Sequence, residues 1–454
     1  VLEVTYRTGP DAPGVSPLRS SGVPSRLAPR LVDNPGALGR WYPVLRESGG
    51  SGLAVITTES FASASEALAD YMAIQEQRGL APVLVTETDY DAVTGPAPDE
   101  RPQRIRTWLQ QHADELQLGY ALLIGNPDPY HGDVPMLPAR PFSPDGWEFC
   151  EETPTDAYYA DLSGDWDLDG DGQYAEYEHD RGPGGVDYLP ELHVGRIPVY
   201  GDVEAADRLL QRAADYAVDR TDTGWRRRAL FPGAILFFRD RHEFGSEHME
   251  GGDVAEVMRP GFEEKDFEVK TLYEQDGLKP SIHDGDLPLT AEDLIAAWGE
   301  GHGLIYWFGH GSEDAAYRTV WAEDPDGDAN PSMWELASTP FMQSIMFERL
   351  PHDRPAVVFH GSCSNGTPEN AANIAYTQLK SGAIAAYAST RVATGSTGSG
   401  WEPSLDQADI FQVGYFVTSK LRDGSSTGAA LGETLASMSD SYYEGFGWHT
   451  KLGV

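Results

Sequence analysis

Two residues in the second half of the chain have the side chains that nucleophilic catalysis at a carbonyl group needs. His310 lies in Gly309-His310-Gly311, directly after the apolar run Leu304–Phe308, and Cys363 lies in a polar turn directly after Ala356–His360. If these runs are neighbouring parallel strands, the imidazole and the thiol emerge side by side at the carboxyl edge of the sheet. The imidazole would then take the thiol proton and the thiolate would attack a carbonyl carbon. The N–H groups of Gly311 and Cys363 would stabilise the oxyanion.

Three other residues compete for these two roles, and their positions relative to the strands argue against them. His302 lies before Leu304–Phe308, at the amino end of that strand, whereas ligands bind beyond the carboxyl ends. His360 precedes the turn that carries Cys363, so we expect it to pack inside the protein. Cys150 lies in an irregular region with no strand before it.

A run of carboxylates predicts a calcium site in the first half of the chain. Counted from Asp165, the first, third, fifth and twelfth positions are acidic and the sixth is Gly170; the residues we expect to bind the ion are Asp165, Asp167, Asp169, Asp171 (through its carbonyl) and Glu176. Oxygen ligands around a sharp glycine turn suit Ca²⁺. A second run, Asp324 to Asn330 followed by Glu335, has similar spacing, but it lacks glycine at the sixth position and contains Pro331. A solvated acidic loop is the alternative in both cases.

The elements that must hold these side chains follow an alternating pattern of short apolar runs and amphipathic segments. This alternation predicts an α/β fold with parallel sheets. We expect an extended arm over 1–52, a first α/β subdomain with the calcium loop over 53–222, and a catalytic α/β subdomain over 223–454. The predicted strands are Leu53–Thr57, Pro82–Val85, Tyr120–Ile124, Leu192–Val199, Leu230–Phe238, Phe267–Leu272, Leu304–Phe308, Ala356–His360 and Ile384–Ala388. The predicted helices include Phe61–Arg78, whose apolar residues follow helical spacing, and Pro331–Phe347.

Composition narrows the class of protein. The chain has 454 residues, 40% of them hydrophobic, which is enough for a packed core. With 72 acidic and 33 basic residues the net charge is −39, which repels phosphate backbones and anionic lipids. We therefore expect no nucleic-acid partner, and no apolar run is long enough to predict a membrane span. Two cysteines do not make a disulfide framework.

The segments Gly309-His310-Gly311-Ser312 and Ser362-Cys363-Ser364-Asn365-Gly366 resemble the catalytic motifs of the gingipain family of cysteine peptidases. Upstream segments, among them Tyr120–Gly125 and Val194–Pro198, resemble the N-terminal subdomain of that family. The resemblance covers about Gly52 to Val454. It implies a caspase-like fold of two α/β subdomains with mainly parallel sheets flanked by helices, with His310 as the catalytic histidine and Cys363 as the nucleophile.

The resemblance also bears on substrate preference. Arginine-specific members carry an acidic residue in the S1 pocket, near the start of the first helix of the second subdomain, and Glu247 occupies a similar place. An acidic residue there can equally stabilise the helix dipole. Those members also have an acidic residue that orients the histidine; Asp240 and Glu243 are only neighbours of the corresponding position.

The function predicted from the sequence is a secreted or cell-surface cysteine endopeptidase. It would act on proteins or peptides through an acyl-enzyme, with a preference for basic P1 residues, structural Ca²⁺ and no organic cofactor. The alternatives are a sortase-like transpeptidase that attaches proteins to the cell surface, and a non-catalytic calcium-binding surface module.

Overall fold

A computed structural model gives the fold of most of the chain. It describes residues 50–91, 99–140, 152–176, 179–180, 184–186, 189–219, 221–238, 249–350, 353–398, 400–407, 409–438 and 452–453. Most of the predicted arm, Cys150, Asp240, Glu243 and Glu247 lie outside the described residues. None of the described helices is both long enough and apolar enough to cross a lipid bilayer.

The first half of the chain forms a four-stranded parallel sheet in the order β2-β1-β3-β6. Its central strand β1 is entirely buried, because apolar side chains cover both faces. The strands of this half are β1 (Gly52–Ile56), β2 (Ala81–Val85), β3 (Leu118–Gly125), β4 (Leu137–Ala139), β5 (Thr153–Thr155) and β6 (His193–Pro198). The helices are α1 (Glu59–Ala64), α2 (Leu68–Gln77), α3 (Arg101–His112), α4 (Ala157–Ala160) and α5 (Val203–Val218).

The second half forms a seven-stranded sheet in the order β11-β10-β7-β12-β16-β17-β18, parallel except for its last pair. Separate clusters of buried apolar side chains lie on its two faces. The strands are β7 (Arg228–Gly233), β10 (Glu268–Tyr273), β11 (Leu287–Pro288), β12 (Leu304–Phe308), β16 (Ala356–Gly361), β17 (Ala383–Ser389) and β18 (Leu452–Gly453). The helices are α6 (Gly251–Glu263), α7 (Ala291–Gly299), α8 (Ile374–Ser381), α9 (Ile410–Arg422) and α10 (Thr427–Met438). The predicted α/β fold with mainly parallel sheets is confirmed.

Two smaller antiparallel sheets lie at the carboxyl edge of the large sheet. One pairs β8 (Ile235–Phe237) with β9 (Met249–Glu250). The other has the order β13-β14-β15 and consists of β13 (His310–Gly311), β14 (Ala315–Trp321) and β15 (Leu336–Gln343). The short strand β13 therefore joins the end of β12 to a β-hairpin.

Two predicted helices are wrong. The segment Phe61–Arg78 forms two helices, because the first one already ends at Ser65, whose extended backbone breaks the pattern. The segment Pro331–Phe347 contains the strand β15 between two short 3₁₀ turns. Pro340 would interrupt a helix. In the edge strand β15 it is tolerated opposite Tyr317, where the pairing register shifts.

Candidate active site

The pairing of β12 with β16 brings the turns that carry His310 and Cys363 together. These strands are parallel neighbours, with Phe308 opposite Gly361, and the Gly309 N–H donates to the Gly361 carbonyl at 3.1 Å. His310 and Cys363 each lie two residues beyond this last pair. Both side chains are therefore carried by adjacent turns at the carboxyl edge of the sheet. The sequence predicted this arrangement on the condition that the two strands are parallel neighbours.

The two turns are in direct backbone contact at Gly311. A Cβ atom added there would lie 2.4 Å from the carbonyl oxygen of Cys363 and 2.9 Å from Cβ and Oγ of Ser362. Only glycine permits so close an approach. Gly311 also pairs with Ala316 across β13 and β14, so the hairpin holds this turn against the cysteine turn.

A strained backbone and a buried amide fix the cysteine turn. Ser364 has φ +55°, a left-handed conformation that is costly for a residue other than glycine. Its N–H donates to the Arg391 carbonyl at 3.0 Å. The buried side chain of Asn365 accepts a hydrogen bond from the Ser362 hydroxyl and donates to the Ser312 carbonyl at 2.5 Å. Asn365 thus connects the cysteine turn to the histidine turn.

The thiol of Cys363 is partly exposed beside a backbone segment that follows β17. Its sulfur lies 3.3 Å from the Ala393 carbonyl oxygen, as donor, and accepts from the Ala393 N–H at 3.4 Å. These contacts orient the sulfur of a residue that is only partly buried.

The imidazole of His310 is oriented by two residues of strand β8. Its Nε2 lies 3.1 Å from the Leu236 carbonyl oxygen. The ring of Phe237 meets it edge-on, at 5.3 Å between centroids. Because a carbonyl can only accept, this contact requires the proton on Nε2 and leaves the lone pair on Nδ1.

The two rival histidines are buried and held neutral. Burial lowers the pKa of His360 to about 4, and its Nε2 lies 2.7 Å from Oε1 of Gln378. Burial also lowers the pKa of His302 to about 4, at the amino end of β12. Both histidines pack within the fold, as the sequence predicted for His360.

Two buried carboxylates that the sequence reasoning missed lie close to this edge. Glu250 pairs with Ile235 across β8 and β9, and Asp253 follows in the first turn of α6. The Thr397 hydroxyl lies 3.1 Å from the Glu250 carbonyl oxygen and 3.0 Å from Asp253 Oδ2, and its single proton is shared between these two acceptors. Thr397 lies on the same segment that contacts Cys363 through Ala393. Their signal in the sequence was the acidic pair within Met249–Asp253, just past Glu247.

Asp253 also has a cationic partner. His283 Nε2 lies 2.9 Å from its Oδ1, and this hydrogen bond raises the pKa of His283. The negative charge of the Asp253 carboxylate is therefore partly neutralised when His283 is protonated.

The predicted calcium loop brings only some of its carboxylates together. One set of ligand atoms within 4.8 Å of one another comes from Asp167, Asp169 and Asp180, and another from Asp169, Glu176 and His179. Asp165 belongs to neither group, and neither does the carboxylate of Asp171, whose predicted ligand atom is its backbone carbonyl oxygen. The carboxylate of Asp171 instead accepts hydrogen bonds from the N–H and the side chain of Gln173, at 2.7 and 2.6 Å.

Asp180 was missed because it lies beyond the predicted loop. It is fully buried, burial raises its pKa, and it accepts from the N–H groups of Leu168 and Glu176 at 2.6 and 2.8 Å. A buried carboxylate that faces two other carboxylates is the arrangement expected of a cation ligand.

The hydrogen bonds favour Asp167 over Asp165 as the first residue of the loop. The Asp167 carboxylate accepts from the N–H of Gly172 at 3.2 Å, and Gly172 has φ +85°. The sequence from Asp167 also has acidic first, third and fifth positions with Gly172 sixth, so the signal was present in the sequence. The twelfth position in this register, Glu178, lies outside the described residues.

Comparison with known proteins identifies relatives of this fold. The sequence model of peptidase family C25 matches residues 47–450. The Arg-specific cysteine proteinase gingipain R has a similar structure, with a TM-score of 0.60 and 14% identity, covering 90% of this chain and 77% of that chain. A complex of the pro- and mature domains of RgpB from Porphyromonas gingivalis gives a TM-score of 0.59 and 15% identity, covering 88% of this chain and 77% of that chain. No curated protein matches the sequence.

Proposed function

The chain belongs to peptidase family C25, the gingipain family, and is a cysteine peptidase; from this premise we propose that Cys363 is its nucleophile and His310 its general base. The observation that carries the proposal is the pairing of Phe308 with Gly361, which sets the two turns side by side at the carboxyl edge. Family membership makes proteins or peptides its substrates.

The orientation of His310 supports one sequence of proton transfers. Nδ1 takes the proton of the Cys363 thiol, and the thiolate attacks the carbonyl carbon of the scissile peptide. The N–H groups of Gly311 and Cys363 donate to the oxyanion of the tetrahedral intermediate. The protonated imidazole then gives its proton to the leaving amine as the C–N bond breaks, which leaves an acyl-enzyme. A water molecule, deprotonated by His310, attacks the thioester and releases the thiolate.

In this mechanism the Leu236 carbonyl orients His310, a role that an acidic residue has in the arginine-specific relatives. It holds the Nε2–H tautomer and stabilises the imidazolium that forms during turnover. Asp240 and Glu243 are alternative partners on the segment that follows β8.

For substrate preference, we propose that Glu247 contributes negative charge to a pocket for Arg or Lys at P1. Two facts support this: gingipain R is Arg-specific, and the buried carboxylates Glu250 and Asp253 lie at the start of α6, only a few residues further along the chain. A charge-assisted contact with a guanidinium or ammonium group would favour basic residues.

For the metal, we propose that the acidic loop that includes Asp165, Asp167, Asp169, Asp171 and Glu176 binds structural Ca²⁺. The clustered carboxylates fit a hard cation with oxygen ligands, and the buried Asp180 adds a ligand. Loops of this kind that bind weakly are filled at the millimolar calcium of extracellular fluid, so a secreted or cell-surface enzyme fits this site.

The catalytic assignment is tested by replacing each cysteine in turn. Cys363→Ala should reduce peptide hydrolysis by at least about 10³-fold, because the sulfur forms the acyl-enzyme, while Cys150→Ser should keep wild-type turnover. Activity is measured on the best substrate from a positional peptide library, and the acyl-enzyme is trapped with a thiol-directed inhibitor and located by mass spectrometry. A folded Cys363→Ala protein with substantial activity, or a label on Cys150, would contradict the proposal.

A further inference from the structure

The loop at the tip of the β14–β15 hairpin gathers a second group of carboxylates. Ligand atoms of Asp324, Asp326 and Glu335 lie within 4.8 Å of one another. This hairpin belongs to the catalytic half of the chain, whereas the calcium loop described above belongs to the other half.

One of these carboxylates is buried with an oxygen that lacks a partner. Glu335 is only 1% exposed, and its Oε2 accepts from the Ser332 N–H at 2.9 Å. Its Oε1 is buried and has no hydrogen-bond partner among the described residues. Burying a carboxylate oxygen without a donor is costly. A cation among the three carboxylates would remove that cost.

The backbone of this loop has the same turn as the first calcium loop. Asp324 accepts from the N–H of Ala329 at 3.2 Å, as Asp167 accepts from Gly172 at 3.2 Å. The next carboxylate in each loop, Asp326 or Asp169, accepts an N–H two residues on, again at 3.2 Å in both loops.

The missing glycine at the sixth position does not prevent this turn. Ala329 has φ +59°, so it adopts the left-handed conformation that Gly172 adopts at the matching position with φ +85°. Alanine pays a steric cost there, yet the loop keeps the geometry. The missing glycine, one of the two reasons that the sequence offered against this loop, therefore does not exclude it; the other, Pro331, lies after the turn from Asp324 to Ala329.

We propose that the loop from Asp324 to Glu335 binds a second Ca²⁺ ion, with Asp324, Asp326 and Glu335 as carboxylate ligands. Oxygen ligands alone select a hard cation, and a loop of this size leaves room for water and backbone carbonyls to complete the coordination. The proposal does not depend on which residues perform catalysis.

The position of the loop gives the ion a structural effect on the active site. Trp321 and Leu336, at the two ends of the loop, pack against Ile235 and Phe238. Between these two residues lie Leu236, whose carbonyl contacts His310, and Phe237, whose ring meets the imidazole edge-on. Further along the same hairpin, Tyr317 pairs with His310 itself. An ion that orders the loop therefore also secures two of the contacts that hold the histidine.

The test is the number of ions bound by the full-length chain, measured by calorimetric titration of the calcium-free protein with CaCl₂. We expect two ions for the wild type. We expect one for Asp326→Asn combined with Glu335→Gln, and one for Asp167→Ala combined with Asp169→Ala. Glu323→Gln, an exposed acid just before the loop, serves as the matched control and should still bind two.

Asp326→Asn alone, at an exposed position, guards against misfolding caused by the buried substitution and should weaken one site at least tenfold. In the protein that lacks the first site, adding Ca²⁺ should slow amide hydrogen exchange in β14 and β15. Equal numbers of ions in the Asp326/Glu335 variant and the wild type would overturn the proposal. So would unchanged exchange in the hairpin when Ca²⁺ is added.

Discussion

Replacing Gly311 by alanine tests whether contact between the two turns is needed for catalysis. The added Cβ would lie 2.4 Å from the Cys363 carbonyl oxygen, whereas ordinary van der Waals contact begins at 3.4 Å. The turns that carry His310 and Cys363 must therefore separate by about 1 Å. A displacement of this size between reacting groups costs about 100-fold in rate, so we expect kcat/KM to fall by about that factor.

A matched control separates this effect from a loss of stability. At Gly52, in the first sheet, an added Cβ would lie 2.3 Å from the Leu116 carbonyl oxygen and 2.9 Å from that of Gln117. Gly52→Ala therefore introduces a clash of the same severity in the sheet that does not carry His310 or Cys363. Each substitution should reduce the free energy of unfolding by about 1–3 kcal/mol, the usual cost of overpacking. Only Gly311→Ala should reduce turnover.

The assay compares kcat/KM of the two variants and the wild type on one peptide, at a temperature well below unfolding. Titration of active thiols with an irreversible inhibitor counts the folded sites, and urea unfolding gives the stability of each variant. Wild-type kcat/KM in a folded Gly311→Ala protein would refute the reasoning. An equal loss in Gly52→Ala would show that the effect comes from general destabilisation.

Three further predictions address protonation, metal and specificity. Burial lowers the pKa of His302 from 6.5 to about 4, so the unfolded chain binds the proton at a higher pH than the folded chain does. The free energy of unfolding should therefore fall as the pH drops from about 6.5 to about 4, by up to about 3 kcal/mol for this histidine. In urea unfolding across this range, His302→Gln should show a smaller dependence of that free energy on pH. Millimolar Ca²⁺ should raise the melting temperature, and the double substitution Asp167→Ala with Asp169→Ala should remove much of that rise. An equal melting temperature in EDTA and in Ca²⁺ would exclude a structural calcium site. Glu247→Gln should weaken a preference for Arg or Lys at P1 by about 1.5–3 kcal/mol, at low and high salt alike. The preference is measured as kcat/KM for a basic P1 residue relative to a neutral isostere. A wild-type enzyme that favours neutral or acidic P1 residues would contradict the hypothesis.

The features that the sequence predicted well are those that depend on local pattern. Leu304–Phe308 and Ala356–His360 are short apolar runs that end in glycine-containing turns, and their lengths and ends nearly match β12 and β16. The positions of His310 and Cys363 follow directly, because parallel strands end at the same edge. The alternation of strands and helices likewise predicts the sheets.

The features that it missed depend on contacts between distant segments. Leu336–Gln343 has no clear period of its own and becomes a strand only because β14 pairs with it. Asp180 joins the carboxylates of the predicted calcium loop from beyond the predicted ligands, and no sequence pattern indicates its burial. The Leu236 carbonyl has no sequence signal at all, since any residue at that position offers the same backbone group.

The two residues proposed as base and nucleophile are held by different parts of the fold, and this division explains why the contacts between their turns matter. His310 is positioned by β12, the β14–β15 hairpin and the Leu236 carbonyl, while Cys363 is positioned by β16 and the segment from Arg391 to Ala393. Beyond the strands, Gly311 and the buried Asn365 connect the two turns directly. We therefore expect a change in the hairpin to move His310 relative to Cys363 without unfolding either strand. Because an acyl transfer needs both groups aligned with the substrate carbonyl, the proposed roles of His310 and Cys363 make the hairpin part of the catalytic framework.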